Sequence, residues 1–202
     1  MSDRNRLTPL DFEQWPADAR ARLPRYLRRP EVYLADGEPR RPLPKVLGMM
    51  AHNAVLGGAW LDFNEVLAAQ ATIDVRLREL VILRVAWQTE CAYEWAQHTR
   101  IGTAAGLTTE QIHAIPDGAA AAIWSPVERA VLSATDQMIA GSVIDSSARA
   151  RLQMYFDEAQ MLELLFLVGA YVCFALVCNS AGLTPDEPTD VVDAPTLRVS
   201  NA

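Results

Sequence analysis

Cys91, Glu94 and His98 stand at i, i+3 and i+7 within ECAYEWAQH, the most polar helix-like segment in the apolar half of the chain. At about 3.6 residues per turn they fall on one stripe of a helix. Glu94 and His98 are i,i+4 neighbours, a spacing that predicts a carboxylate orienting an imidazole. An imidazole held this way serves as general acid or base near neutral pH, because its unperturbed pKa is about 6.5. Cys91, on the same stripe, is either a thiol activated by that imidazole or a small packing residue. Tyr93 and Trp95 flank the stripe and are candidate substrate-binding residues.

A second carboxylate, Glu79, sits inside the apolar run LRELVIL, where an ionised group is costly unless paired. Arg76, Arg78 and Arg84 are near it in sequence. Glu79 reads either as one half of a partly buried ion pair between helices or as a carboxylate sharing a proton with His98. Arg84 and Arg76 are candidates to hold a substrate carboxylate. His52 reads as a core histidine and His113 as a surface one. No metal-ligand spacing emerges: there is no H-x-x-x-H, and His98 and Glu94 have no clear third donor. No glycine-rich phosphate loop or G-x-S-x-G occurs either.

The elements that must position these residues are helical. Lys45 to Gln70 carries apolar residues at helical spacing, with Gly57-Gly58 as the expected kink. Asp74 reads as the N-cap of VRLRELVILRVAWQ, and a helix from about Glu90 to Ala105 is closed by Gly106. Thr108 to Gln111 and Ser125 to Glu128 read as capping boxes, the second with proline at N1. Asp145 caps a further helix, and the last runs from about Glu158 to Ser180. The helices bearing Glu79 and Glu163 are apolar on nearly all sides and are expected to be the buried core pair. Ala17 to Leu23 forms a short helix in an Arg- and Pro-rich arm, and residues 36 to 44 form a linker. No segment alternates with period 2. The fold class is all-α, with about eight helices. A weak internal repeat relates Glu79–Ala86 to Glu163–Ala170, and Ala105-Gly-Leu-Thr108 to Ala181-Gly-Leu-Thr184.

R-x-R-E-L-V-I-L-R-V-A, then C-x-x-E-W-x-x-H, then G-L-T-x-E-Q-I resembles the carboxymuconolactone decarboxylase family, which includes alkylhydroperoxidase-D-like proteins. The resemblance spans about residues 42 to 184 and implies an alkylhydroperoxidase-D-like helical bundle. The family's peroxidase branch carries Glu, then Cys-x-x-Cys, then His. Here those places hold Glu79, Cys91, Glu94 and His98, with the peroxide-attacking cysteine replaced by Glu94. A two-cysteine cycle on this helix is therefore unavailable, and Cys173 and Cys178, five apart on a helix, are poor partners for each other. The decarboxylase branch lacks Cys-x-x-Cys and carries a Glu-x-x-x-His pair, which Glu94 and His98 match. The resemblance implies cofactor-free and metal-free chemistry on a small carboxylated lactone or related carbonyl compound. His98 is then the proton carrier, Glu94 its orienting partner, and Glu79 a supporting carboxylate. The alternatives are a single-cysteine peroxidase or thiol oxidoreductase using Cys91 and His98, and a non-catalytic oligomeric binding protein.

Composition bounds the remaining classes. The 202 residues are 50% hydrophobic and 21% charged, a globular balance, and the net charge of -7 speaks against a nucleic-acid partner. Three cysteines do not make a secreted disulfide framework. The N-terminal MSDRNRLTPL has no apolar signal core, and the longest apolar run, Leu164 to Cys178, falls short of the roughly 18 residues of a bilayer span. The expectation is a cytoplasmic protein without membrane or nucleic-acid partner, acting on a small molecule as a homo-oligomer (trimer, hexamer or dimer). Its parts are an arm and linker (1–41), a core domain (42–185) and an extended tail (186–202).

Overall fold

Side-chain caps set where most of the helices begin. In the computed structural model, which describes residues 7–27 and 30–186, Asp74, Thr108, Ser125, Asp145 and Asp157 each accept a backbone N–H of the first turn that follows. Ten α-helices result among the described residues: α1 Ala17–Arg22, α2 Pro30–Tyr33, α3 Lys45–Met50, α4 Ala54–Ala69, α5 Val75–Gln88, α6 Ala92–Ala104, α7 Thr109–Ala114, α8 Pro126–Gly141, α9 Ser146–Leu152 and α10 Glu158–Ala181. Two more helices appear than the eight expected, because the arm folds one more short turn and the 45–70 stretch divides. The division falls at a 3-10 turn, Ala51–Asn53, and not at Gly57-Gly58. Asn53 restarts the helix by accepting from the N–H of Leu56 at 3.1 Å. Within the linker, Leu34–Ala35 pairs antiparallel with Glu38–Pro39, a hairpin too short to alter the class.

The centre of the fold is α5. Leu80, Val81, Ile82, Leu83, Val85 and Ala86 are all buried, packed by α6, α8 and α10 on successive sides. Each large apolar side chain removed from water here contributes roughly 1.5–3 kcal/mol. α10 departs from the sequence expectation. One side packs on α5 through Leu164, Leu167, Val168 and Tyr171, but Leu162, Phe166 and Leu176 are 55%, 53% and 60% exposed. With 24 residues and an 18-residue stretch of mean hydropathy 2.4, α10 is long and apolar enough by composition to cross a membrane.

The two segments matched by the internal repeat end alike. Gly106 (φ 97°) follows α6 and Gly182 (φ 68°) follows α10, both left-handed. Leu107 N–H donates to Gly102 O, and Leu183 N–H to Cys178 O, each at 2.9 Å, closing the same Schellman-type turn.

The arm folds back on its own chain. Phe12, Trp15, Ala19, Leu23 and Leu27 form a second apolar cluster with Leu47 of α3, Ala51 of the 3-10 turn and Ala54 of α4. Trp15 is only 4% exposed, and the Tyr26 hydroxyl donates to Gly58 O at 2.9 Å. The expected extended tail lies, from residue 187 on, outside the described residues. Its first residue, Asp186, is anchored: Oδ1 accepts the N–H of Lys45 at 2.9 Å, and Oδ2 accepts the Gln97 amide at 2.8 Å.

Candidate active site

α5 and α6 form a hairpin about the turn Gln88–Cys91, where Glu90 adopts φ 51° and Cys91 N–H returns to Ala86 O at 2.9 Å. This hairpin sets His98, in the second turn of α6, against Glu79 in the middle of α5. His98 Nδ1 lies 2.7 Å from Glu79 Oε2. Arg78 Nε donates to the other carboxyl oxygen at 3.3 Å, while its Nη1 donates to Ala68 O at 2.6 Å. The Tyr171 ring, from α10, meets the imidazole edge-on with centroids 5.1 Å apart. Burial alone would push the Glu79 carboxyl up. The hydrogen bond and charge of His98, with the Arg78 guanidinium, outweigh it and hold the carboxyl below its ordinary value. With Nδ1 committed, Nε2 is the imidazole nitrogen left for chemistry, and the His98 side chain keeps 13% of its surface exposed against 2% for Glu79.

The expected pairing of Glu94 with His98 is not formed. Helical side chains lean toward the N-terminus of their helix, so Glu94, in the first turn of α6, leans away from His98 and toward Cys91. Glu94 is 1% exposed, and neither carboxyl oxygen has a hydrogen-bond partner. Burial, then the charge of Cys91, pushes its carboxyl up to about 10. The roles read from the sequence are exchanged: Glu79 orients the imidazole, and Glu94 is a neutral acid beside a thiol.

Cys91 is the N-cap of α6, one residue outside the stripe it was expected to share. Its neighbour is Cys178 from α10, in a buried cluster with Met49, Tyr93, Ala175, Ala181 and Leu183. The Cys178 thiol, opposed by burial and aided by the amide N–H groups of Glu94 and Tyr93, holds Cys91 below the ordinary thiol value. Cys178 is pushed up, first by its hydrogen bond to Cys91, then by burial. The two thiols are thus shifted in opposite directions, so of the pair Cys91 loses its proton first. Sequence reasoning missed Cys178. The available signal was Ala175, Cys178 and Ala181, a line of small residues on the one side of α10 close enough to another helix to need them.

Residues 55–137, a stretch holding Glu79, Cys91, Glu94 and His98, match the carboxymuconolactone decarboxylase family. The segment belongs to that family. The match is narrower than the 42–184 span of the resemblance and leaves α9, α10 and Cys178 outside it. No curated protein matches the chain. Solved structures match over nearly its whole length. The alkylhydroperoxidase AhpD core of Ralstonia eutropha JMP134, an uncharacterized peroxidase-related protein, shares 17% identity at a TM-score of 0.74, covering 93% of this chain and 95% of that one. A peroxidase-related protein from Silicibacter sp. TM1040 gives 16% and 0.74, covering 93% and 96%. The debrominase Bmp8 gives 15% and 0.69, covering 90% and 92%. These likenesses establish the AhpD-like helical fold.

Within this AhpD-like helical fold, the other candidate residues are engaged elsewhere. Arg84 Nε and Nη2 grip Asp136 at 2.6 and 3.0 Å, and Nη1 donates to the carbonyls of Ile115 and Pro116. Arg76 pairs with Glu128 at 2.5 Å and donates to Gly106 O. Neither is placed to hold a substrate carboxylate, since the fold needs these donors to tie loops and helices to α5. Tyr93 is buried with its hydroxyl 3.3 Å from Asp186, and burial, then the Asp186 charge, pushes it up. Trp95 is buried against Trp87, ring centroids 5.5 Å apart. Both aromatics wall the core and do not face an opening. Of the surface clefts formed by the described residues, one of about 500 Å³ lies around Trp124, Arg129 and Tyr155 and another of about 920 Å³ lies between the arm and residues 181–184, and His98 lines neither of these. Among the described residues no three His, Cys, Asp or Glu side chains converge as a metal-ligand set.

Proposed function

We propose that the chain is a cofactor-independent proton-transfer enzyme of the carboxymuconolactone decarboxylase family, acting on a small lactone or related carbonyl compound. The observation that carries this reading is the 2.7 Å contact between His98 Nδ1 and Glu79 Oε2 in a nearly dry setting. A carboxylate on Nδ1 fixes the tautomer with its lone pair on Nε2, and it stabilises the imidazolium formed when Nε2 takes a proton. Neutral His98 then removes a proton next to a carbonyl, and the imidazolium returns it to carbon or oxygen. For a decarboxylation, the same imidazolium protonates the carbanion left when CO2 departs. Arg78 shares the Glu79 charge and keeps that carboxylate ionised, so the acid and base roles both fall on His98. Because Arg76 and Arg84 are occupied, a substrate carboxylate finds no ready guanidinium from them. This favours a lactone or ketone recognised by shape.

The test is a panel of small lactones and 3-oxo acids, followed by proton exchange into deuterated water. Turnover or carbon-bound exchange is expected with wild type and lost on His98→Ala by roughly 100–10,000-fold. Equal rates in the two proteins would remove His98 from the reaction.

A further inference from the structure

Exposed positions on α10 recur at Leu162, Phe166, Gly169, Cys173, Leu176 and Ser180. The steps are 4, 3, 4, 3 and 4 residues, so the exposed side follows the 3.5-residue spacing with which one helix grips another. All six are apolar or small, and Leu162, Phe166 and Leu176 are 55%, 53% and 60% exposed. α4 runs antiparallel beside α10, with Phe63 edge-on to Phe166 and Trp60 stacked on Phe174. It adds Val55, Leu56 and Val66 at 63%, 66% and 46% exposure. With Val177, these large side chains leave roughly 600–750 Å² open, close to the about 800 Å² per partner of a standard stable interface. A typical monomer shows roughly 300–600 Å² in its largest apolar patch. We propose that this side is the two-fold interface of a homodimer, in which α10 packs antiparallel against α10 of a second copy.

Charge and spacing select the occupant. Neither α4 nor α10 contains a lysine or an arginine, and their charges are Asp62, Glu65, Glu158 and Glu163. A helix that lies on an anionic bilayer surface carries basic residues along its flanks, so a lipid surface is a poor match. The chain's own remaining segments do not fit either. Residues 1–6 hold one apolar side chain, and residues 187–202 are broken by Pro188 and Pro195, which the interior of a packed helix does not tolerate. A seam with 3.5-residue spacing asks for a helix of the same spacing, and a second copy supplies it.

The steps read the same from either end, which fits two antiparallel copies. An axis at the level of residue 171 sets Gly169 opposite the partner's Cys173, Phe166 opposite the partner's Leu176 and Leu162 opposite the partner's Ser180. The smallest contact lies at the centre, where a Cβ on Gly169 would meet nothing within 4 Å in its own chain. Backbones can therefore approach closely there. Both acids of α10, Glu158 and Glu163, lie in its first two turns. Antiparallel pairing sends them to opposite ends of the seam, beside the partner's uncharged Asn179 and Ser180. A parallel pair would gather four carboxylates at one end, where like charges repel.

The test weighs the full chain by sedimentation velocity at micromolar concentration. Twice the chain mass of 22.3 kDa is expected, and a monomer or a trimer would overturn the proposal. Cys173 gives a readout that needs no variant, because it is exposed on the single chain while Cys91 and Cys178 are buried. In the wild-type dimer its alkylation by N-ethylmaleimide is expected to be roughly 10-fold or more slower than that of glutathione. Reaction at the glutathione rate would overturn the proposal. Gly169→Arg puts bulk and charge where its own chain leaves open space. It is expected to keep the helical circular dichroism, free Cys173 to react, and raise the dissociation constant by roughly 100-fold or more. An unchanged mass would overturn the interface. The direction of pairing is read by charge rescue. Leu176→Arg alone and Phe166→Glu alone are expected to be monomeric, and the double variant to regain the dimer, since each new cation then faces the partner's new anion. A double variant that stays monomeric would overturn the antiparallel pairing.

Discussion

Glu79 and Glu94 are buried to nearly the same extent, at 2% and 1% exposure, yet they stand in opposite protonation states. Glu79 has an imidazole on one oxygen and a guanidinium on the other. Glu94 has two sulfurs for company and no cation. Desolvation acts on both, so the difference between them comes from their neighbours: two cationic partners at Glu79 and the negative charge of Cys91 at Glu94. It also divides labour within one helical hairpin: an ionised carboxylate tunes a base, and a neutral acid fifteen residues later holds a proton in reserve. Carboxyls pushed apart in this way mark acid and base positions in many enzymes.

The comparison breaks most sharply if the cationic partnership is removed. Glu79→Leu leaves the Arg78 guanidinium and His98 facing an apolar side chain, and the loss is expected to reach about 3–5 kcal/mol in urea unfolding. Glu94→Leu is expected to cost far less, since no partner is stranded. A smaller effect sharpens the contrast through pH. A raised carboxyl value in the fold means that the native state binds the extra proton, so stability falls as pH rises from about 4.5 toward 10. Glu94→Gln removes that slope. Its stability relative to wild type is expected to grow by up to about 1.4 kcal/mol per pH unit in this window, measured by urea unfolding at pH 6, 7 and 8. The smallest effect has the opposite sign. Glu79 has a lowered value, so its contribution is fully present above the unfolded carboxylate range, near 4.5. It is lost as pH falls through the folded value. Glu79→Gln is expected to flatten the acid limb of a thermal-melt series below pH 4.5, whereas Glu94→Gln leaves that limb alone.

The sequence made the all-helical class, the caps and the presence of Glu79 and His98 near one another readable, because these are local patterns or fixed spacings. It misled where two neighbours competed for one group. The i,i+4 spacing of Glu94 and His98 is real, but a carboxylate from α5 reached the imidazole first, and periodicity within one helix carries no information about the helix opposite. Cys178 was unreadable as a partner for Cys91 for the same reason: 87 positions of chain separate them. α10 misled differently. Leu162, Phe166 and Leu176 are as apolar as Leu164 and Leu167, so composition alone could not tell its bare side from its packed one. Arg76 and Arg84 looked free because the acids that bind them, Glu128 and Asp136, sit together on α8, some fifty residues downstream.

Asp186 has a consequence for the order in which the molecule is completed during synthesis. It caps Lys45 from 141 positions downstream and also holds Tyr93 and Gln97 of α6. At about 5–20 residues per second, that separation corresponds to roughly 7–30 s of elongation. For that interval α3 waits without its anchor, and the compartment that will enclose Cys91 stays open while α10 is still being made. A nascent chain therefore exposes Cys91 until α10 arrives to cover it.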